Sequence, residues 1–216
     1  MIKKFSSKFW IMLSVMTVAA VLVSLKFLDS GLALRVMKFL QAIHKLHKPS
    51  ETIPDILSYL VIGGTVLMWI IYFYRAHKKK IDVKEKFLQL AATTLPVSYV
   101  IKTILQLTFG RTSPRDWLLD KEPLKFNWLN HFGAGGSFPS GHMTVFAAFG
   151  TAVYIFFPQY RKLVLYSLLV LGAALIGTDY HFLSDVIAGA YLGFFITYLS
   201  WRIFEKMRSR QIKNYN

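Results

Sequence analysis

The sequence predicts an all-α, polytopic membrane protein, a six-transmembrane-helix bundle with an extra surface helix near 31–47. Three observations carry this. The chain of 216 residues is 54% hydrophobic, with a mean hydropathy of +0.41, apolar for a soluble domain of its size. Its apolar residues gather into six runs close to the ~20 residues that a helix needs to cross a bilayer. Its 26 Lys and Arg give a formal charge of +15 and fall mostly between the runs. A basic chain can also signal nucleic acid. No basic stretch here is interleaved with aromatics in a soluble context, so the charge is read as loops facing the cytoplasm and anionic lipid. The bilayer is an expected partner and nucleic acid is not.

The six runs are 9–28, 54–74, 87–108, 141–157, 163–179 and 182–203. The first follows "MIKKFSSK". It is long for a signal-peptide core and lacks a clear small-x-small cleavage site, so it is read as an uncleaved anchor. With the N-terminus inside, segments 1–8, 75–86, 158–162 and 202–216 are cytoplasmic and hold 16 of the 26 basic residues. Both termini are then cytoplasmic, and the loops 29–53 and 109–140 lie outside. The 29–53 loop dissents from the charge rule with Arg35, Lys38, Lys45 and Lys48. Its pattern "LALRVMKFLQAIHKL" has apolar residues at helical spacing, which suits a helix lying on the membrane surface. There is no cysteine, which excludes disulfides and thiolate chemistry. With no repeat or low-complexity segment, residues 1–216 form a single membrane domain.

Three polar clusters interrupt this apolar chain. In "FPSGH" (138–142), Pro139 or Ser140 can open a helix and Gly141 lets a ligand approach the backbone. A helix N-terminus suits phosphate, and His142 would stand beside the anion as a proton donor. The same residues also describe a capped helix start with an interfacial histidine. In "DYHFLSDVIAG" (179–189), His181 and Asp185 are four apart and would share one helix face. A carboxylate on one imidazole nitrogen fixes the tautomer and aims the other nitrogen outward, as a nucleophile or base requires. Asp179 either faces water or completes the network. In "KTILQLTFGRTSPRDW" (102–117), Lys102 sits inside an apolar run, with Arg111 and Arg115 at its outer end. Such cations bind phosphate or form an interfacial belt. On the expected topology all three clusters fall at the same outer face, and that convergence points to one site.

These residues resemble the type 2 phosphatidic acid phosphatase superfamily of membrane lipid phosphatases. "PSGH" (139–142) matches its second signature, and "H-x-x-x-D" (181–185) followed by "VIAG" matches the end of its third. "FGRTSP" (109–114) resembles part of the first, in the style of lipid A phosphatases. The resemblance covers roughly 87–203, the expected catalytic core. It implies that His181 attacks phosphorus and carries a phosphohistidine, that Asp185 orients it, and that His142 protonates the leaving oxygen and then helps to activate water. Ser140 and the Gly141 backbone would hold phosphate oxygens. Neither metal nor cofactor is implied, and the site would face the periplasm or exterior.

Three cationic positions of the family pattern are replaced, by Gln106, Ser113 and Leu175. Lys102 lies one helical turn before Gln106, and Arg111 and Arg115 flank Ser113, so these three are the candidate replacement clamp. The expected function is hydrolysis of a membrane lipid phosphate, whether lipid A, a phosphatidate type or undecaprenyl diphosphate. Transfer to another lipid acceptor, as in sphingolipid headgroup transferases, and a catalytically impaired lipid-binding relative are the alternatives. Vanadate-dependent oxidation shares these residues but is typical of soluble relatives. Trp117, Phe126, Trp128 and His131 could line a headgroup cleft, although aromatics also mark membrane interfaces.

Overall fold

The computed structural model describes residues 6–43, 52–77, 82–129 and 136–214. Among these, the regular elements are helices. Helix α1 (Ser7–Val23) is capped by Ser6, whose hydroxyl accepts from the Phe9 amide at 3.2 Å. A π turn (Ser24–Leu28) leads directly into α2 (Asp29–Ala42), so the segment expected as a loop continues the first helix. Helix α2 buries Asp29, Ala33 and Met37, one stripe at four-residue spacing, while Leu34 and Phe39 stay exposed. The helix expected near 31–47 is thus present as far as Ala42. Lys45 and Lys48 lie outside the described residues.

Helices α3 (Thr52–His77) and α4 (Val83–Phe109) are joined at their shared end. Asp82 and Glu85 form a capping box on α4, and Arg75 of α3 pairs with both, at 3.3 Å from Asp82. Then come α5 (Pro114–Leu118), α6 (Gly141–Phe156), α7 (Arg161–Gly177) and α8 (Leu183–Asn214). Five helical stretches among the described residues are long and apolar enough to span: Ser7–Ala42, Ile56–His77, Val83–Phe109, Pro158–Gly177 and Leu183–Arg210. Helix α6 is the sixth apolar segment. Its 16 residues reach about 24 Å, short of the roughly 30 Å hydrocarbon core. The outward faces carry Ile11, Tyr59 and Leu169 largely exposed, as lipid-facing surface does. The chain is an integral membrane protein.

Helix α6 is central and packs against α4, α7 and above all α8. Its buried face is small: Thr144, Ala147, Ala148, Thr151 and Ala152. Opposite it, α8 presents Gly189 and Gly193, four apart. A Cβ on Gly189 would fall 2.7 Å from the Ser140 carbonyl oxygen, and one on Gly193 would collide with the Thr144 carbonyl. The helices therefore touch backbone to backbone, and Thr197 seals the contact by donating to the Ala148 carbonyl at 3.1 Å. We expect Gly193→Val to destabilise the protein by about 1–3 kcal/mol through overpacking, read as a lower melting temperature in detergent.

Candidate active site

The α6–α8 contact positions the candidate site because PSGH (139–142) and His181 with Asp185 sit at the same end of it. Ser140 caps α6, its hydroxyl accepting from Met143 N at 3.4 Å, while its own amide donates to the Asp185 carbonyl at 3.0 Å. This ties the PSGH turn to the first turn of α8. The amides of Gly141 and His142 stand ahead of the helical hydrogen-bond ladder, where an anion can accept from them.

The chain leaves α7 through Asp179, held at φ 51°, a region that Asp tolerates better than most residues. The Leu175 carbonyl then accepts from the amides of both Tyr180 and His181, at 3.0 and 3.1 Å. His181 is buried, and its ring faces that of His142 with centroids 6.5 Å apart. Tyr180 lies beside both, 5.5 Å from His142 and 5.3 Å from His181.

His181 and Asp185 meet, but not on one helix face as their spacing suggests. Helix α8 begins at Leu183, after His181. Asp185, in its first turn, folds back to accept from Phe182 N at 3.0 Å and places the same oxygen 3.6 Å from His181 Nδ1. That is ion-pair range and longer than a hydrogen bond. Nδ1 is buried without a hydrogen bond, and Asp185 is the carboxylate on its side of the ring.

The three expected clamp cations part company. Lys102 comes to the site: its stem lies 3.2 Å from where a Cβ on Gly141 would stand, a tight approach that a larger residue would relieve only by displacing the lysine. Its ammonium donates to Gln106 Oε1 at 3.1 Å, and Gln106 Nε2 donates to the Pro139 carbonyl at 3.0 Å. Gln106 therefore links the lysine to the PSGH turn. Arg111, expected to bind phosphate, is instead buried among carboxylates. One guanidinium nitrogen donates to Asp185 Oδ1 at 2.5 Å and to Ser184 Oγ at 2.6 Å, the other to Asp29 Oδ2 at 2.8 Å. Two acids outbid a dilute ligand because they are already fixed in the low-dielectric interior. Arg115, also expected at the phosphate, donates to the Thr178 carbonyl at 3.1 and 2.7 Å from Nε and an Nη, which orders the α7–α8 turn.

The other two replaced positions have structural work. Ser113 caps α5 by accepting from Asp116 N at 3.1 Å, and Leu175 packs with Met143 and Val186 in an apolar cluster. Asp179 is buried, and burial pushes its carboxyl up to about 7, with Arg115 pulling it back. Of the aromatic candidates, Phe126 and Trp128 stack with each other and pack with Phe109. Trp117 lies 6.3 Å from Phe182, and His131 is outside the described residues. Arg111 is held between rings, 4.1 Å from Phe182 and 5.4 Å from Phe126.

Asp29 and Ser184 belong to this cluster although no sequence motif singled them out. Asp29 is a lone carboxylate between apolar stretches, which is the signal that could have found it, since a charge there is costly and demands a partner.

Two histidine rings 6.5 Å apart, one of them at a helix N-terminus and the other with a carboxylate beside it, are groups that can serve an anionic, transferable group. The chain belongs to the PAP2 superfamily, whose model matches residues 87–209. It is 35% identical over 101 residues to a lipid A 1-phosphatase of Rhizobium etli, an overlap covering 47% of this chain and 43% of the relative. A lipid A 1-phosphatase of Rhizobium johnstonii is 32% identical over 113 residues, 52% of this chain and 46% of that one. The chain thus matches somewhat under half the length of these curated relatives. Among solved structures, a transmembrane PAP2-type phosphatidylglycerolphosphate phosphatase from Bacillus subtilis superposes with a TM-score of 0.52 over 91% of this chain and 96% of that one. At 16% identity it shares the fold.

Proposed function

We propose that this protein hydrolyses a membrane lipid phosphate through a phosphohistidine. The observation that carries the reading is the facing pair of His142 and His181, 6.5 Å apart, with Asp185 behind His181 Nδ1. In the first step His181 Nε2 bonds to phosphorus as the bond from phosphorus to the lipid oxygen breaks, and His142 gives that oxygen its proton. In the second, His142 takes a proton from water as the water oxygen bonds to phosphorus. The N–P bond then breaks and inorganic phosphate leaves. Lys102 and the amides of Gly141 and His142 offset the charge on the phosphoryl oxygens. Arg111 and Arg115 order the protein around the site.

The relatives are named for action on lipid A at its 1-phosphate, and "FGRTSP" (109–114) resembles the first signature of such phosphatases, so a glycolipid phosphate is the first substrate to try. The site opens on the outer face of the cytoplasmic membrane, with both termini inside. Transfer to a lipid acceptor is the second reading, favoured by the uncharged Gln106, Ser113 and Leu175. Purified protein incubated with ³²P-labelled lipid A, phosphatidate and undecaprenyl diphosphate separates the two. Hydrolysis yields labelled inorganic phosphate, and transfer yields a labelled second lipid. Neither product from any of the three lipids would defeat both readings.

A further inference from the structure

We propose that Asp29 is a positioning residue for this site: by sharing the Arg111 guanidinium with Asp185, it leaves the Asp185 carboxylate free to hold His181 and to balance the positive charge that forms on its ring. The inference rests on the phosphohistidine reading above. Asp29 stands 58 residues before the segment that the family model matches. It is buried, and its carboxylate makes three contacts. Oδ1 accepts from Ser184 N at 3.1 Å, and Oδ2 accepts from Arg111 at 2.8 Å and from Ser184 Oγ at 2.5 Å. It thus caps the first turn of α8 from another helix and grips the arginine that grips Asp185.

The charge count explains why a second acid is needed. With Arg111 and Asp185 alone, a guanidinium 2.5 Å from the carboxylate would neutralise it, and His181 would face a spent partner. With Asp29 added, two carboxylates surround one guanidinium, and the cluster carries one net negative charge. Phosphorylation of Nε2 makes the imidazole cationic, which brings the buried groups to two of each sign. A group of charges that balances only in the intermediate stabilises the intermediate more than the resting state. Ser184 accepts from Arg111 and donates to Asp29, closing the ring of contacts.

The charges that bear on His181 come from every side. His142 stands near it on α6, with Lys102 of α4 reaching Gly141. Tyr180 and Asp179 share its own turn, where Arg115 of α5 binds the Thr178 carbonyl. Behind it stand Asp185 of α8, Arg111 and Asp29 of α2. Of these, Asp29 can be neutralised at constant shape without removing a group that would touch substrate.

The test uses the full chain in detergent with a short-chain phosphatidate, comparing wild type, Asp29→Asn and Asp29→Glu across pH. For Asp29→Asn we expect kcat to fall by about 10- to 100-fold with KM within about twofold, because the loss is confined to the charged intermediate. The acid limb of kcat/KM moves to lower pH, since a histidine with less negative charge behind it gives up its proton more readily. Asp29→Glu restores much of kcat. A wild-type kcat and pH profile in Asp29→Asn overturns the proposal, as does a loss that disappears when rates are referred to the folded fraction.

A second readout does not need turnover. The ¹⁵N-imidazole signals of His181, followed across pH, are expected to deprotonate at lower pH in Asp29→Asn, and an unchanged titration overturns the charge coupling. If the wild type releases no phosphate from any lipid while the imidazole shift is present, the hydrolase reading falls and the coupling stands.

Discussion

Replacing His181 with alanine is expected to lower phosphate release by at least about 10³-fold and to leave no acid-labile ³²P on the protein after brief exposure to labelled lipid. The expectation follows from geometry. Nδ1 faces Asp185 at 3.6 Å, so Nε2 is the nitrogen left to meet phosphorus. His142→Ala gives the contrasting result. It accepts label slowly, because the attacking ring is present but the leaving oxygen lacks its acid, and it holds the label, because His142 is also the base that activates water, so that turnover falls by roughly 10²–10⁴-fold. Label trapped on His142→Ala and absent from His181→Ala fixes the two roles. Equal labelling of both variants would reverse them or remove the covalent step.

Arg111→Ala is expected to be the most destabilising single change near the site, by about 3–5 kcal/mol, because it leaves two buried carboxylates facing each other without compensation. The guanidinium is 3% exposed and its two carboxylate partners no more than 1%, so water cannot take its place. It also loses the flanking rings of Phe126 and Phe182. Arg111→Lys is not expected to restore stability, since a single ammonium cannot reproduce a fork that serves Asp29 and Asp185 on separate nitrogens. Chemical or thermal unfolding in detergent reads the effect. An Arg111→Ala protein that melts like the wild type would mean that the buried network does not hold the fold together. Lys102→Met is the useful comparison, because that ammonium bonds to the Gln106 side chain and lies over the Tyr99 ring but pairs with no carboxylate among the described residues, so its loss should fall on phosphate binding more than on melting.

The sequence by itself determined what depends on local chemistry. Apolar runs of spanning length have few folded options in a bilayer, because every backbone polar group must be satisfied within the helix. The cap at Ser140 and the start of α6 at Gly141 follow from local sequence, whereas His181 and Asp185 are brought together by the turn before α8 and not by a shared helix face. The gathering of the clusters at one end of the bundle follows from the order of the helices.

What tertiary structure alone decided is the use of each charge. A lysine or arginine near a phosphate motif advertises a cation but not its partner. Arg111 is consumed by Asp29, 82 positions earlier, and Asp185, 74 positions later. Lys102 reaches the PSGH turn only because α4 packs beside α6. The vacancies at Ser113 and Leu175 likewise look like losses in one dimension, while in three Ser113 caps α5 and Leu175 fills the apolar cluster behind the His181 turn. The physical reason is common to all of them. Hydrophobic periodicity and capping act over one or two helical turns, whereas the pairing of buried ions is settled by which helices happen to bury them together.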